Sequence, residues 1–226
     1  MVPHMVSLVR PHSVVDVGCG LGTWLKVFQE NGIIEIRGFD GDYVDQSRLM
    51  IDPTNFTKVD LTRPLNVDRR YDLAICVEVA EHLPERSARY LIRGLTSLAP
   101  VVVFSAAIPG QGGLHHLNLQ WPPYWQGLFA EHQYVRLDAI RPKIWRDQNI
   151  NWWYRQNILL YASPDALANS PVLREEASTP PWDLELIHSS VLYRRVGIEE
   201  LFKKLLIAVR DKLARKTDAK FGALSK

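Results

Sequence analysis

The chain reads as an α/β protein: a doubly wound, mostly parallel, seven-stranded sheet followed by a C-terminal helical appendage. Three observations predict this. Seven short apolar or β-branched runs recur, at 13–17, 33–39, 57–60, 71–77, 101–107, 134–144 and 156–163. Segments with helical spacing of apolar residues separate several of them, and strand–helix alternation of this kind gives parallel strands joined by crossovers. The first run ends in Gly18-Cys19-Gly20-Leu21-Gly22, a glycine-built turn from strand to helix.

Taken in order, Val14, Val15 and Val17 make a buried strand with one acid, Asp16, inside it. The helix over 23–31 carries Trp24, Leu25 and Phe28 on its inner face, and Gly32 stops it. The second strand closes on Asp40-Gly41-Asp42, and a short helix is expected around 43–50. Asp60 ends the third strand. The fourth, apolar after Asp72, runs into Glu78-Val79-Ala80-Glu81-His82-Leu83. A helix opens at Pro84 or Glu85 and holds Ala88, Leu91, Ile92 and Leu95 on one face until Pro100. After the fifth strand, residues 109–119 are glycine-rich and long for a simple connection, which marks a candidate functional loop. Pro122 starts the helix over 122–132, with Pro in its first turn.

Residues 163–183 carry four prolines and read as a linker. Residues 198–216 form an amphipathic helix with Ile198, Leu201, Phe202, Leu205, Leu206, Val209 and Leu213 on one face. The expected organisation is therefore a domain over 1–164, a linker and docking segment over 165–197, and a basic helix and tail over 198–226. The 226 residues, 46% hydrophobic and 23% charged, suffice for one full core.

Net charge is +2, but residues 198–226 hold eight Lys/Arg and four Asp/Glu, so a body of net −2 carries a tail of net +4. A near-neutral body argues against a protein built mainly to coat nucleic acid; the tail keeps that partner open. The tail's expected roles are docking on its own domain, a homodimer contact, or peripheral membrane contact. Cys19 and Cys76 lie in no metal-binding spacing, and no signal peptide or membrane span is evident, so the expected compartment is the cytoplasm.

In a doubly wound sheet, ligands sit at the carboxyl ends of the strands. That rule gathers Gly18, Gly20, Gly22, Asp40, Gly41, Asp60, Leu61, Val77, Glu78 and the 109–119 loop on one rim. The glycines let backbone approach a ligand closely. Asp40, 22 residues after Gly18, can accept from both hydroxyls of a ribose, although an Asp there also caps helices well. Two details set aside a nicotinamide dinucleotide. Thr23 stands where that fingerprint needs a third small residue, and Asp16 suits a sulfonium and an ammonium better than a pyrophosphate. No Gly-x-Ser-x-Gly supports a serine hydrolase.

Residues 14–22, with Asp40, Asp60-Leu61 and the stretch from Tyr71-Asp72-Leu73 to Glu78–Leu83, resemble the ordered motifs of class I S-adenosylmethionine-dependent methyltransferases. The resemblance spans about 13–163. It implies a Rossmann-like seven-stranded sheet with a reversed final strand and S-adenosylmethionine as donor. It also implies a ribose contact from Asp40 and adenine contacts from Asp60 and Leu61. It leaves the acceptor open.

Methyl transfer asks the protein to align the acceptor and, for a hydroxyl, to take its proton. Glu81, His82, His115 and His116 are the candidate bases. The loop through Gln111, His115, His116, Asn118 and Trp121 is the expected acceptor side, although its histidines could simply satisfy local backbone groups. Clustered aromatics (Trp121, Tyr124, Trp125, Trp145, Trp152, Trp153, Tyr154) could line an acceptor pocket or pack helices on the sheet. Glu78-x-x-Glu81-His82 permits a metal, with His115 or His116 completing an oxygen–nitrogen shell; the same spacing occurs in RNA 3′-end 2′-O-methyltransferases, which use a divalent ion. The same string also occurs in metal-free small-molecule methyltransferases, and the expectation is a site without metal. The favoured function is O-methylation of a small molecule or glycan in a biosynthetic pathway. The alternatives are a metal-dependent RNA 2′-O-methyltransferase and a non-catalytic, donor-binding partner subunit.

Overall fold

A computed structural model describes residues 1–180 and 186–189. The chain divides into a body, Met1–Leu186, and a second unit, Ile187–Lys226. The basic helix expected at 198–216 lies outside the described residues.

The body begins with α1 (Val2–Val9), which buries Val2, Met5 and Leu8 along one face and ends on Arg10 in the left-handed region. The sequence reading did not assign it. Then follow β1 (Ser13–Val17), α2 (Thr23–Glu30), β2 (Glu35–Asp40), β3 (Phe56–Lys58), β4 (Leu73–Val77), α3 (Ala88–Leu98) and β5 (Val101–Ser105). The chain continues through α4 (Pro122–Ala130), β6 (Val135–Leu137), α5 (Arg141–Ile144), α6 (Trp152–Asn157), β7 (Leu159–Ala162), α7 (Pro164–Asn169) and α8 (Pro171–Ser178). The strands form one sheet in the order β3-β2-β1-β4-β5-β7-β6. All pairings from β3 to β5 are parallel, and β7 runs antiparallel to both β5 and β6. The order reverses between β1 and β4, which places a crevice at the carboxyl ends of those strands.

Every residue of β1, β4, β5 and β7 is buried. Helices on both faces require this, so strands of this kind read as continuous apolar runs rather than alternating ones. One core contains Leu25, Phe28, Leu73 and Ile75. The other contains Leu91, Ile92, Leu95, Phe104, Phe129 and Tyr161. Phe129 and Tyr161 stack with ring centroids 3.8 Å apart. Trp125 packs against Phe104 at 5.1 Å, so it belongs to the core rather than to an acceptor pocket.

Three expectations are corrected. The run at 134–144 is a short strand followed by α5, because Arg141 folds back to form a bidentate pair with Asp138, both side chains being almost fully buried. Only a 3₁₀ turn, Gln46–Arg48, forms within 43–50. The stretch read as linker holds α7 and α8, each capped by a serine (Ser163, Ser170) followed by proline, and Leu173 is buried in the first core. Among the described residues no helix is long and apolar enough to cross a membrane.

Candidate functional site

A cavity of about 970 Å³ opens at the carboxyl ends of β1, β2, β3 and β4. Gly18, Gly20, Asp40, Gly41, Asp60, Leu61, Glu78, His82 and His115 line it, so most residues expected at the donor and two candidate bases do meet there.

The glycine turn is built by backbone demand. Gly18, Gly20 and Gly22 all have positive φ, a region costly for residues with a Cβ. A Cβ on Gly18 would come within 2.3 Å of Val79, and one on Gly22 within 2.9 Å of Ile51. At Gly20 the corresponding space is open and faces the cavity. Gly22 caps α2 and does not line the cavity; its role is to start that helix. Val77, expected at the donor, is a core residue.

Asp40 ties the turn to the end of β2. Its carboxylate accepts from Gly20 N–H at 2.6 Å, from Gly41 N–H at 2.6 Å and from the Tyr43 hydroxyl. Tyr43, which the sequence reading did not single out, lies over Gly41 so closely that a Cβ there would meet its ring at 2.3 Å. The Asp60 carboxylate is turned to its own loop, accepting from Thr62 N–H at 2.9 Å and Thr62 Oγ1 at 2.6 Å, with Arg63 at 3.2 Å. Leu61, buried beside it, supplies apolar cavity wall.

Asp16, in β1 two residues before Gly18, is not itself among the residues that line the cavity. It is 1% exposed, and its Oδ2 has no hydrogen-bond partner among the described residues. Burial, and then the neighbouring Asp40 charge, hold its carboxyl well above the usual carboxylate range. An orphaned buried acid next to an open glycine turn is what a cationic ligand would satisfy.

On the other side of the cavity, Glu78 holds φ +56°, unusual for a residue with a side chain. Hydrogen bonds to both its backbone and its carboxylate groups fix it, one of them from its N–H to Ser105 Oγ at 3.1 Å. Its N–H donates to Ser105 O at 3.0 Å, and its carboxylate accepts from Ser105 Oγ at 2.8 Å, Gln111 Nε2 at 3.0 Å and Asn157 Nδ2 at 3.2 Å. Ser105, Gln111 and Asn157 are all buried; sequence reading placed Gln111 only in the acceptor-side loop and did not single out Ser105 or Asn157, because only the folded chain brings the three together. Glu81 is 1% exposed, and burial followed by the Glu78 charge pushes its carboxyl up to about 8.

The 109–119 loop is pinned to this turn. Leu117 N–H and Asn118 N–H both donate to Glu81 O, at 2.7 and 3.1 Å. His116 therefore stands against His82, edge to face, with centroids 4.9 Å apart. His115, at positive φ, reaches the cavity. Potential ligand atoms of Glu81, His82 and His116 all lie within 4.8 Å of one another, the juxtaposition of the acid-histidine string and the histidine loop that the metal reading required, with Glu78 outside the cluster.

The sequence profile of a family described as methyltransferase domain matches residues 4–157. The chain belongs to that family. It is a class I S-adenosylmethionine-dependent methyltransferase, and the site offers features that suit that donor: a buried acid, Asp16, with an unpartnered oxygen for a cationic group, an open glycine turn, the Asp40 carboxylate at the end of β2 and an apolar wall at Leu61. Among solved structures, the methyltransferase domain of a bacterial CtHen1 aligns with TM-score 0.51 and 17% identity, over 71% of this chain and 95% of that one. An O-methyltransferase family protein from Burkholderia thailandensis aligns with TM-score 0.51 and 13% identity, over 69% of this chain and 52% of that one. At such identities the likeness is one of fold. A search of curated proteins gives no match.

Proposed function

We propose that this methyltransferase transfers the methyl group to a hydroxyl of a small molecule or glycan. The observation that carries the reading is the pinned histidine loop. The two hydrogen bonds to Glu81 O fix residues 117 and 118, and the loop delivers His115 to the cavity while leaving it exposed to an incoming acceptor. The donor contributes an electrophilic methyl on a good leaving group. The chain must hold the acceptor oxygen in line and receive its proton, for which a histidine working near neutrality is suited.

Electrostatics favour a neutral acceptor. The cavity wall carries Asp40, Asp42, Asp60 and Glu78 against Lys58. A polyanion gains its affinity from Lys and Arg contacts to phosphates, and this rim offers it repulsion. That weighs against the RNA reading.

The test is transfer of labelled methyl from S-adenosylmethionine into a cell extract depleted of endogenous donor, with and without RNase. Label that survives RNase and travels with glycans or small molecules supports the reading. Label that RNase removes from the large-molecule fraction overturns it in favour of RNA.

A further inference from the structure

We propose that Gln111 is a positioning residue for methyl transfer: its side-chain amide fastens the histidine loop to the Glu78 carboxylate on the donor wall, so that loop and donor site form one unit. Local sequence puts the amide there. Residues 108–111 close a turn, with Gln111 N–H donating to Ile108 O at 3.0 Å. Pro109 stands second in it and Gly110, at φ +89°, third, the residues a type II turn calls for. The Gln111 side chain is 6% exposed. Its Oε1 accepts from Asn157 Nδ2 at 2.8 Å and from Ile108 N–H at 3.3 Å, and its Nε2 donates to Glu78 Oε2 at 3.0 Å.

The next six residues, 112–117, are exposed or half-buried, and Asn118 is buried again. Gly112 at φ +72° and Gly113 at φ +140° lead the chain away from the buried amide, in conformations that side chains rarely adopt. The far end is fixed by the bonds from Leu117 and Asn118 N–H to Glu81 O. His115 thus stands on an arch whose two feet rest on one segment, residues 78–81.

The two feet differ in kind. Backbone bonds make the far one, and they form with any side chain. The near one needs an amide, because Glu78 Oε2 requires a hydrogen-bond donor while Asn157 Nδ2 and Ile108 N–H require an acceptor. Glu78 also lines the donor cavity. A donor molecule packed against Glu78 favours the Glu78 placement that the arch needs, and the arch favours the donor in return, since such coupling is reciprocal. The use of this placement, bringing His115 to an acceptor oxygen, rests on the hydroxyl-acceptor reading; the fastening does not.

The full chain is compared with Q111A and Q111E. The readouts are deuterium exchange of backbone amides over 112–121 with and without S-adenosylhomocysteine, calorimetric affinity for S-adenosylhomocysteine, and the initial rate of labelled methyl transfer into a cell extract depleted of endogenous donor. In the wild type S-adenosylhomocysteine slows exchange in the loop. In Q111A exchange is faster and S-adenosylhomocysteine no longer slows it. Transfer by Q111A falls roughly 10²-fold, the worth of a misplaced catalytic group, while S-adenosylhomocysteine affinity falls far less. Q111E supplies a signature that lost packing does not. Of the Gln111 side-chain partners only Glu78 titrates, with Glu81 hydrogen-bonded to it. Uncharged, the new carboxyl can donate to Glu78 and accept from Asn157 and Ile108 as the amide does. Ionised, it repels Glu78, and burial beside that carboxylate raises the pH at which it ionises. The transfer rate of Q111E relative to wild type at the same pH is therefore near unity at the acid end and falls toward that of Q111A as pH rises. Transfer by Q111A within about twofold of wild type overturns the proposal, as does a Q111E ratio that does not change with pH. If Q111A does not fold, the Q111E ratio decides alone. Slow transfer by Q111A onto nitrogen, carbon or sulfur leaves the fastening standing and removes the His115 proton role instead.

Discussion

Replacing Asp16 by asparagine keeps the shape and removes the charge, and its two effects should have opposite signs. In the donor-free protein the Asp16 carboxyl is 1% exposed with an orphaned oxygen, beside a second acid. Leaving a buried polar group unpaired costs about 1–3 kcal/mol, more when it is charged. Its raised folded pKa means that the folded state holds the proton more tightly than the unfolded chain does. The associated stability is complete below the ordinary carboxylate value and is lost as pH rises through the folded value. Asp16→Asn should therefore stabilise the donor-free protein at neutral pH, by about 2–4 °C in Tm for each kcal/mol recovered in a chain of this size. It should also flatten the fall in Tm between acid and neutral pH. Donor affinity should fall, because truncating one partner of a buried charge pair costs roughly 2 kcal/mol or more, about thirtyfold in Kd. Thermal unfolding across pH, with calorimetry of S-adenosylmethionine binding, reads both effects. A variant that binds the donor within about twofold of wild type would refute the assignment of Asp16 to the donor's positive charge, whatever its Tm.

Asp40→Asn should weaken S-adenosylhomocysteine binding by about ten- to a hundredfold, the worth of a hydrogen bond to a charged group, as measured by calorimetry; unchanged affinity would remove Asp40 from the ribose site. His115→Ala should lower kcat by about 10²-fold or more if it takes the acceptor proton, with S-adenosylhomocysteine affinity far less affected, and an unchanged kcat would end that role. Arg141→Ala leaves Asp138 buried without its partner and should cost about 3–5 kcal/mol in urea unfolding; a loss below about 1 kcal/mol would mean that the pair contributes little.

The sheet was legible because its strands are short apolar runs punctuated by glycine, proline and acids. Buried parallel strands carry that signature with little help from context. The donor side was legible for a related reason: a glycine turn and an acid at the next strand end are local requirements written at fixed spacing. What failed depended on contacts distant in sequence. Val77 and Glu78 are neighbours, yet strand geometry turns Val77 into the core, and the end of α6, just before the reversed β7, brings Asn157 to Glu78. Arg141 sits in a run that otherwise looks like a strand, and only its pairing with Asp138 shows that the chain turns there. Other misses were legible and overlooked. Pro3 with Val2, Met5 and Leu8 marks α1, and Ser163-Pro164 and Ser170-Pro171 are cap-and-proline starts for α7 and α8. The acceptor side was the hardest to read, because His115 and His116 gain meaning only once two backbone hydrogen bonds join their loop to Glu81.

The most direct test of the account follows the methyl group itself. S-adenosylmethionine labelled with carbon-13 at the methyl is incubated with the enzyme and a fractionated glycan and metabolite extract, and the labelled product is examined by NMR. The account predicts a single methoxyl carbon, on an acceptor that carried a free hydroxyl. A labelled carbon bonded to nitrogen, sulfur or carbon would contradict it.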